Sequence, residues 1–203
     1  TAVVNAYVGP LMSAYLERLG SLIERPLTVM QSSGGGTSLA VARREPVRTV
    51  LSGPAGGVIG ATYVAKLAGF DHIITFDMGG TSTDVALCPG RVQTSSNHAV
   101  DGMPIGVPVI DIHTVGAGGG SIAWIDAGGT LRVGPHSAGA MPGPACYGRG
   151  GTQPTVTDAH VVLGYLDPDH PLGGTVTLDK QAAETALATV AGPLGMDVPE
   201  LAA

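Results

Sequence analysis

The chain has 203 residues, 44% of them apolar and 13% charged, enough to bury a substantial core in one large or two small domains. A net charge of -6 and a pI near 5.3 exclude a broad basic surface for nucleic acid, and no apolar run reaches the length of a membrane-spanning helix. Cys88 and Cys146 form no zinc-finger spacing, and the start of the sequence lacks a basic stretch followed by an apolar one, so the cytoplasm is the expected location.

The apolar residues Val4, Val8, Leu11, Tyr15 and Leu19 recur at spacings of three and four, which predicts an amphipathic helix over 2–19, kinked at Pro10. Residues 27–30 read as a short strand running into the turn Ser32-Ser33-Gly34-Gly35-Gly36, with a second helix over 38–43. The segment 52–69 is a helix that sets Gly57, Ala61, Ala65 and Ala68 on one face, a stripe small enough for close backbone approach. Three strands follow at 72–77, 82–88 and 91–96, joined by tight turns, which implies an antiparallel meander. Strands over 107–113 and 121–126 flank the glycine run 116–120, and 131–133 is placed to pair with the second of them. Residues 135–154 hold four prolines and five glycines and read as a long loop with a purpose. Helices over 158–163 and 180–190 close the chain, the last capped by Asp179 and stopped at Gly192-Pro193.

The most informative stretch is Phe76-Asp77-Met78-Gly79-Gly80-Thr81-Ser82-Thr83-Asp84. A carboxylate at the end of a buried strand, then two glycines and a threonine, fits a turn whose N–H groups point one way and bind an anion. Gly79 and Gly80 would let a phosphate approach the backbone and Thr81 and Ser82 would add hydroxyls. Asp77 or Asp84 would hold a magnesium ion through water. The alternative is a plain hairpin turn, for which Gly-Gly is an ordinary signal. No Walker loop occurs in the sequence.

Asp111 and His113 lie two apart on an expected strand and so share a face, where they would bind a metal, pass a proton, or simply order the turn through a hydrogen bond. Two ligands are too few for a metal site, so the structural reading is preferred there. Gly118, Gly119 and Gly120 offer further backbone N–H groups to the same cleft. His98, His136 and His170 sit in loops and read as solvated, and Cys146 as a buried inert thiol unless Arg149 activates it. The turn 32–36 reads as a flexible turn or as an oxyanion-facing loop.

The stretch 76–84, preceded by the small-residue helix that begins Gly53-Pro54-Ala55-Gly56-Gly57, is similar to the second phosphate motif of the actin-like ATPases. Met30-Gln31-Ser32-Ser33-Gly34-Gly35, Leu51-Ser52-Gly53-Pro54-Ala55-Gly56-Gly57, the run 111–121 and Pro142-Gly143-Pro144-Ala145-Cys146-Tyr147-Gly148 together resemble the hydantoinase A/oxoprolinase family. The resemblance implies an α/β, ribonuclease H-like (actin-like ATPase) fold: an antiparallel three-strand meander plus helices, then a β-rich, loop-rich region. It spans residues 1–168 as the central domain of a longer chain, with 169–203 the start of a helical continuation.

It further implies ATP and Mg2+ as cofactors, a cyclic amide as substrate, a hydantoinase B-type partner subunit and an oligomer. The activity implied is ATP-dependent opening of a cyclic amide, in which phosphorylation of the amide oxygen makes the ring open to water. The alternatives are ATP-dependent carboxylation of a ketone and a non-catalytic scaffold. An earlier phosphate motif and a later adenosine motif of the family do not occur in these 203 residues, so weak ATP binding by this piece alone is expected. Met141 stands where the family commonly has an acidic residue and His160 where it has Asn.

Overall fold

The first helix, α1 (Ala2–Leu22), carries Pro10 inside it. Its buried positions are Val4 and Leu16, and Val8, Met12, Leu16 and Leu19 line a cleft with Val29, Pro46 and Val50. The inward stripe is therefore Val4, Val8, Met12, Leu16, one residue every four. Leu11, also expected on it, is exposed, and Tyr15 borders the same cleft but is mostly exposed. The protein is described by a computed structural model over residues 1–100, 102–170 and 173–203.

The predicted strand is β1 (Thr28–Met30), and it pairs antiparallel with β2 (Gly36–Ser38), a strand the sequence reading did not anticipate. Ser38 then caps α2 (Leu39–Arg44), its hydroxyl accepting from the Val41 N–H, and a 3-10 turn follows at Pro46–Thr49. Asn5 ties α1 to this region: its amide donates to the Arg44 carbonyl at 3.3 Å and accepts the Val47 N–H at 3.1 Å.

Helix α3 (Ser52–Leu67) buries Ala55, Val58 and Thr62. The small-residue stripe is displaced from this face: Gly57, Ala61 and Ala68 are exposed and Ala65 is half-buried. The helix packs instead through Ala55 and Val58, which join the apolar cluster of Ala86, Cys88, Ile110 and Ile112, while Tyr63, Val64 and Leu67 stay exposed.

β3 (His72–Met78) and β4 (Thr83–Pro89) form the predicted hairpin. The meander ends there. The three-stranded sheet has the order β3-β4-β9, and β5 (Thr94–Ser95), expected beside β4, pairs instead with β8 (Val109–Ile110). Val109 and Ile110 are fully buried, and the β5–β8 pairing places them there. Between them, β6 (His98–Val100) and β7 (Met103–Ile105) make a hairpin not read from the sequence. The strand expected over 107–113 is broken at 111–112, and β9 is His113–Val115.

β10 (Ser121–Ile125) pairs antiparallel with β11 (Leu131–Ser137), as the sequence indicates. A 3-10 turn at Ala145–Tyr147 is followed by α4 (Val156–Val162), α5 (Lys180–Leu194) and α6 (Val198–Ala202). Asp179 caps α5, accepting the Ala182 N–H at 2.9 Å. The predicted stop at Gly192-Pro193 does not operate. The helix continues through Pro193 and ends on Gly195 at φ 70°, a conformation that costs glycine nothing.

The architecture is mixed α/β with antiparallel sheets, in two compact units. One comprises Thr1–Asp77 and Asp84–His113, the other Met78–Thr83 and Thr114–Ala203. The first has two apolar clusters, one of Ala55, Val58, Ala86, Cys88, Ile110 and Ile112, the other of Val4, Val47, Ile105, Val107 and Val109. The second is built on Cys146, Val161, Leu178 and Ala183.

Candidate functional site

The turn between β3 and β4 is closed by the Gly79 N–H donating to the Ser82 carbonyl at 2.9 Å. It rests on the glycine run 116–120 of the same unit. Gly119 N donates to Gly79 O at 3.0 Å and Gly120 N to Gly80 O at 2.6 Å, and the Thr83 hydroxyl donates to Ala117 O at 2.6 Å. The approach is close enough that a Cβ on Gly118 would lie 2.8 Å from Gly79 O, Gly80 C and Ser82 N.

This contact decides which way the turn's donors face. In a trans peptide the C=O of one residue and the N–H of the next point in opposite directions. The Gly79 and Gly80 carbonyls point into the glycine run, so the N–H groups of Gly80 and Thr81 point away from it. Both residues are exposed, and neither N–H has a partner among the described residues. Two adjacent N–H groups facing the same way are the geometry that an anion-binding nest requires.

The glycine run is itself held firmly. Gly118 N donates to the buried Ser121 hydroxyl at 2.9 Å, and Ala138 N donates to Gly120 O at 2.8 Å. From α4, both the N–H and the hydroxyl of Thr157 donate to Gly119 O, each at 2.7 Å. The first turn of α4 is fixed by a capping box of Thr155 and Asp158. The fully buried Asp158 carboxylate accepts from Thr155 N at 2.9 Å, Thr155 Oγ1 at 2.8 Å, Cys146 N at 2.8 Å and Ala145 N at 3.3 Å. Thr83, Ser121, Thr157 and Asp158 were not singled out in the sequence. Thr155-x-x-Asp158 is a capping-box pattern that could have marked the last of them.

Gly79, Gly80, Thr81 and Ser82 thus lie against Gly118, Gly119 and Gly120; Gly119 and Gly120 spend their N–H groups on holding the turn, and Gly118 spends its own on Ser121. Asp77 ends the first unit's share of β3. It is exposed, its Oδ2 3.6 Å from where a Gly57 Cβ would stand. Asp84 is half-buried on β4. Asp111 and His113 are both exposed, and the break at 111–112 removes the shared strand face expected of them. Among the described residues no group of three or more His, Cys, Asp or Glu is placed to hold a metal. A single exposed carboxylate such as that of Asp77 would suit only an ion that keeps most of its water, as magnesium does.

Other candidates serve the fold. The Ser32 hydroxyl is buried against the carbonyls of Arg48 and Val50. Cys146 is fully buried, and burial, reinforced by the Asp158 charge, pushes its thiol pKa far above the ordinary value, so it stays protonated. Arg149 lies over the Tyr147 ring, 5.8 Å from its centre. His136 is exposed, His98 is half-exposed in β6, and the exposed His170 meets Asp167 at 2.7 Å. In the loop after β11, a cavity of 350 Å³ is lined by Ser137, Met141, Pro142, Thr152 and Gln153 among others.

The whole chain, residues 1–203, matches the family model described as Hydantoinase/oxoprolinase. It is 47% identical over 209 residues to the caprolactamase subunit alpha of Pseudomonas jessenii, covering 100% of this chain and 30% of that protein. The crystal structure of that bacterium's ATP-dependent caprolactamase superposes with a TM-score of 0.82 at 45% identity, over 100% of this chain and 30% of that one. The acetophenone carboxylase gamma subunit of Aromatoleum aromaticum is 41% identical over 214 residues, 100% of this chain and 29% of the relative. The nucleotide-free structure of an ATP-dependent acetone carboxylase superposes with a TM-score of 0.78 at 36% identity, over 93% of this chain and 27% of that one. The chain therefore spans about a third of the length of these relatives, and it belongs to the hydantoinase/oxoprolinase family.

Proposed function

We propose that this chain forms one phosphate-facing wall of an ATP-dependent enzyme that opens cyclic amides. The carrying observation is the pair of outward N–H groups at Gly80 and Thr81, without a partner among the described residues because Gly119 and Gly120 hold the carbonyls on the other side. ATP, when bound, supplies the phosphoryl group that activates the amide oxygen. Gly80 and Thr81 then donate to charge on that phosphate, and the Thr81 and Ser82 hydroxyls extend the cradle. Gly79 closes the turn, and Gly118, Gly119 and Gly120 act through it. Asp77 would hold the magnesium ion or a water, with Asp84 in support. Asp111 and His113 stay as candidates for proton transfer. The caprolactamase relative, whose substrate by name is a lactam, favours the amide reading.

A second reading, ATP-dependent carboxylation of a ketone, is favoured by the 41% identity over the whole chain to an acetophenone carboxylase subunit. In either reading a second, B-type subunit joins the enzyme, as the subunit names of the relatives encourage. The ribonuclease H-like architecture belongs to the same proposal.

The test uses the full-length protein with its partner subunit. Calorimetry should show ATP binding that requires magnesium, and Asp77→Asn should lower ATP turnover at least about a hundredfold. Unchanged turnover in Asp77→Asn overturns its role. Phosphate release that depends on a lactam identifies the hydrolase, and release that depends on a ketone and bicarbonate identifies the carboxylase.

A further inference from the structure

We infer that Thr157 is a positioning residue for the phosphate turn, acting through two successive peptide planes. The inference rests on the phosphate reading of that turn. Thr157 is 6% exposed, and its N–H and hydroxyl both donate to Gly119 O at 2.7 Å. The Gly119 C=O and the Gly120 N–H belong to one planar trans peptide, so fixing the carbonyl toward Thr157 fixes the N–H in the opposite direction. That N–H meets Gly80 O at 2.6 Å. The Gly80 C=O in turn shares its peptide plane with the Thr81 N–H, one of the two outward donors. Rotation of the 119–120 peptide is thereby transmitted to the direction in which Thr81 donates.

The support behind Thr157 is rigid, because the capping box and the four hydrogen bonds accepted by buried Asp158 hold the first turn of α4. The two glycines are needed for the same reason. A Cβ on Gly119 would stand 2.8 Å from Thr157 Oγ1, and one on Gly120 would stand 2.9 Å from Gly80 O. A hydroxyl donor on Thr157 and bare backbone opposite it are complementary requirements of one contact.

The experiment compares Thr157→Val and Thr157→Ser in the full-length protein with its partner subunit. Thr157→Val keeps the side-chain shape and removes the donor; it should lower kcat for ATP hydrolysis about tenfold with a smaller change in KM. Thr157→Ser should recover kcat to within about twofold of the parent, because the donor is restored. Amide exchange at Gly120 should be faster in Thr157→Val and parental in Thr157→Ser, a readout independent of activity. A Thr157→Val protein with parental kcat and parental exchange overturns the inference, as does a Thr157→Ser protein as impaired as the valine variant. If Thr157→Val lowers the yield of folded protein, Gly119→Ala carries the test, since its methyl displaces the same hydroxyl; parental kcat there overturns it equally. Absence of ATP turnover in the parent protein defeats the phosphate reading instead, and the exchange measurement then decides the coupling by itself.

Discussion

Asp158 is the residue on which most of the second unit's local order converges. It is fully buried and takes four donors from two segments, Ala145–Cys146 and Thr155. Removing the carboxylate leaves those donors unsatisfied in a buried place, each at a cost of about 1–3 kcal/mol when no water enters. Asp158→Ala is therefore expected to destabilise the protein by at least about 3 kcal/mol, read as a lower urea midpoint with little change in slope. Cys146 makes a prediction about pH. Its folded-state pKa is raised by burial, so the folded state retains a proton that the unfolded state loses above its ordinary thiol value near 9.0. The contribution is complete below that pH and is lost as pH rises beyond it. Urea midpoints measured from pH 8 upward should fall more steeply for the parent than for Cys146→Ala.

At the scale of elements, the glycines divide into those the packing requires and those it does not. Gly118 faces backbone atoms that cannot swing aside, so Gly118→Ala must push the 79–82 turn away from the 116–120 run. A cost of about 1–3 kcal/mol is expected, with a lower melting temperature. Gly60 lies inside α3 with nothing within 4 Å of an added Cβ. Gly60→Ala should raise the melting temperature, corresponding to about 0.5–1 kcal/mol, because alanine loses less backbone entropy in a helix. Both substitutions add one methyl to a glycine motif, and only the tertiary partner of each separates them. Both glycine runs are visible in the sequence, but not that one supports the other, since hydrogen bonds between segments almost forty residues apart have no local signature.

Over the whole molecule, apolar surface is left uncovered on several elements. Val3, Tyr7, Leu11 and Tyr15 form an exposed stripe on α1, and Tyr7 is 83% exposed. On the β3–β4 hairpin, Ile74, Phe76 and Leu87 are also exposed, Phe76 at 70%. Patches of this kind are uncommon on a monomer that stands alone. The 203-residue chain by itself is expected to self-associate with rising concentration, and Tyr7→Ser with Leu11→Ser should shift its sedimentation toward monomer. An unshifted, monomeric parent would contradict this. Among the described residues no helix is long and apolar enough to cross a membrane.

The sequence alone determined what depends on neighbours along the chain. The β3–β4 hairpin follows from Ile73-Ile74-Thr75-Phe76 and the Gly79-Gly80 turn, the β10–β11 hairpin from alternation around Gly128-Gly129, and the start of α5 from the Asp179 cap. The family was legible too, because its motifs are long and occur in order. Tertiary structure decided what depends on partners distant in sequence. It moved the inward face of α1 to Met12 and Leu16, sent β5 to β8 instead of β4, and broke the strand that would have aligned Asp111 with His113. It also turned the Gly80 and Thr81 N–H groups outward, because the opposite ends of their peptide planes are hydrogen-bonded to Gly119 and Gly120. A glycine motif announces that the backbone is free to turn; the direction it takes is set by whatever binds the other side of the peptide.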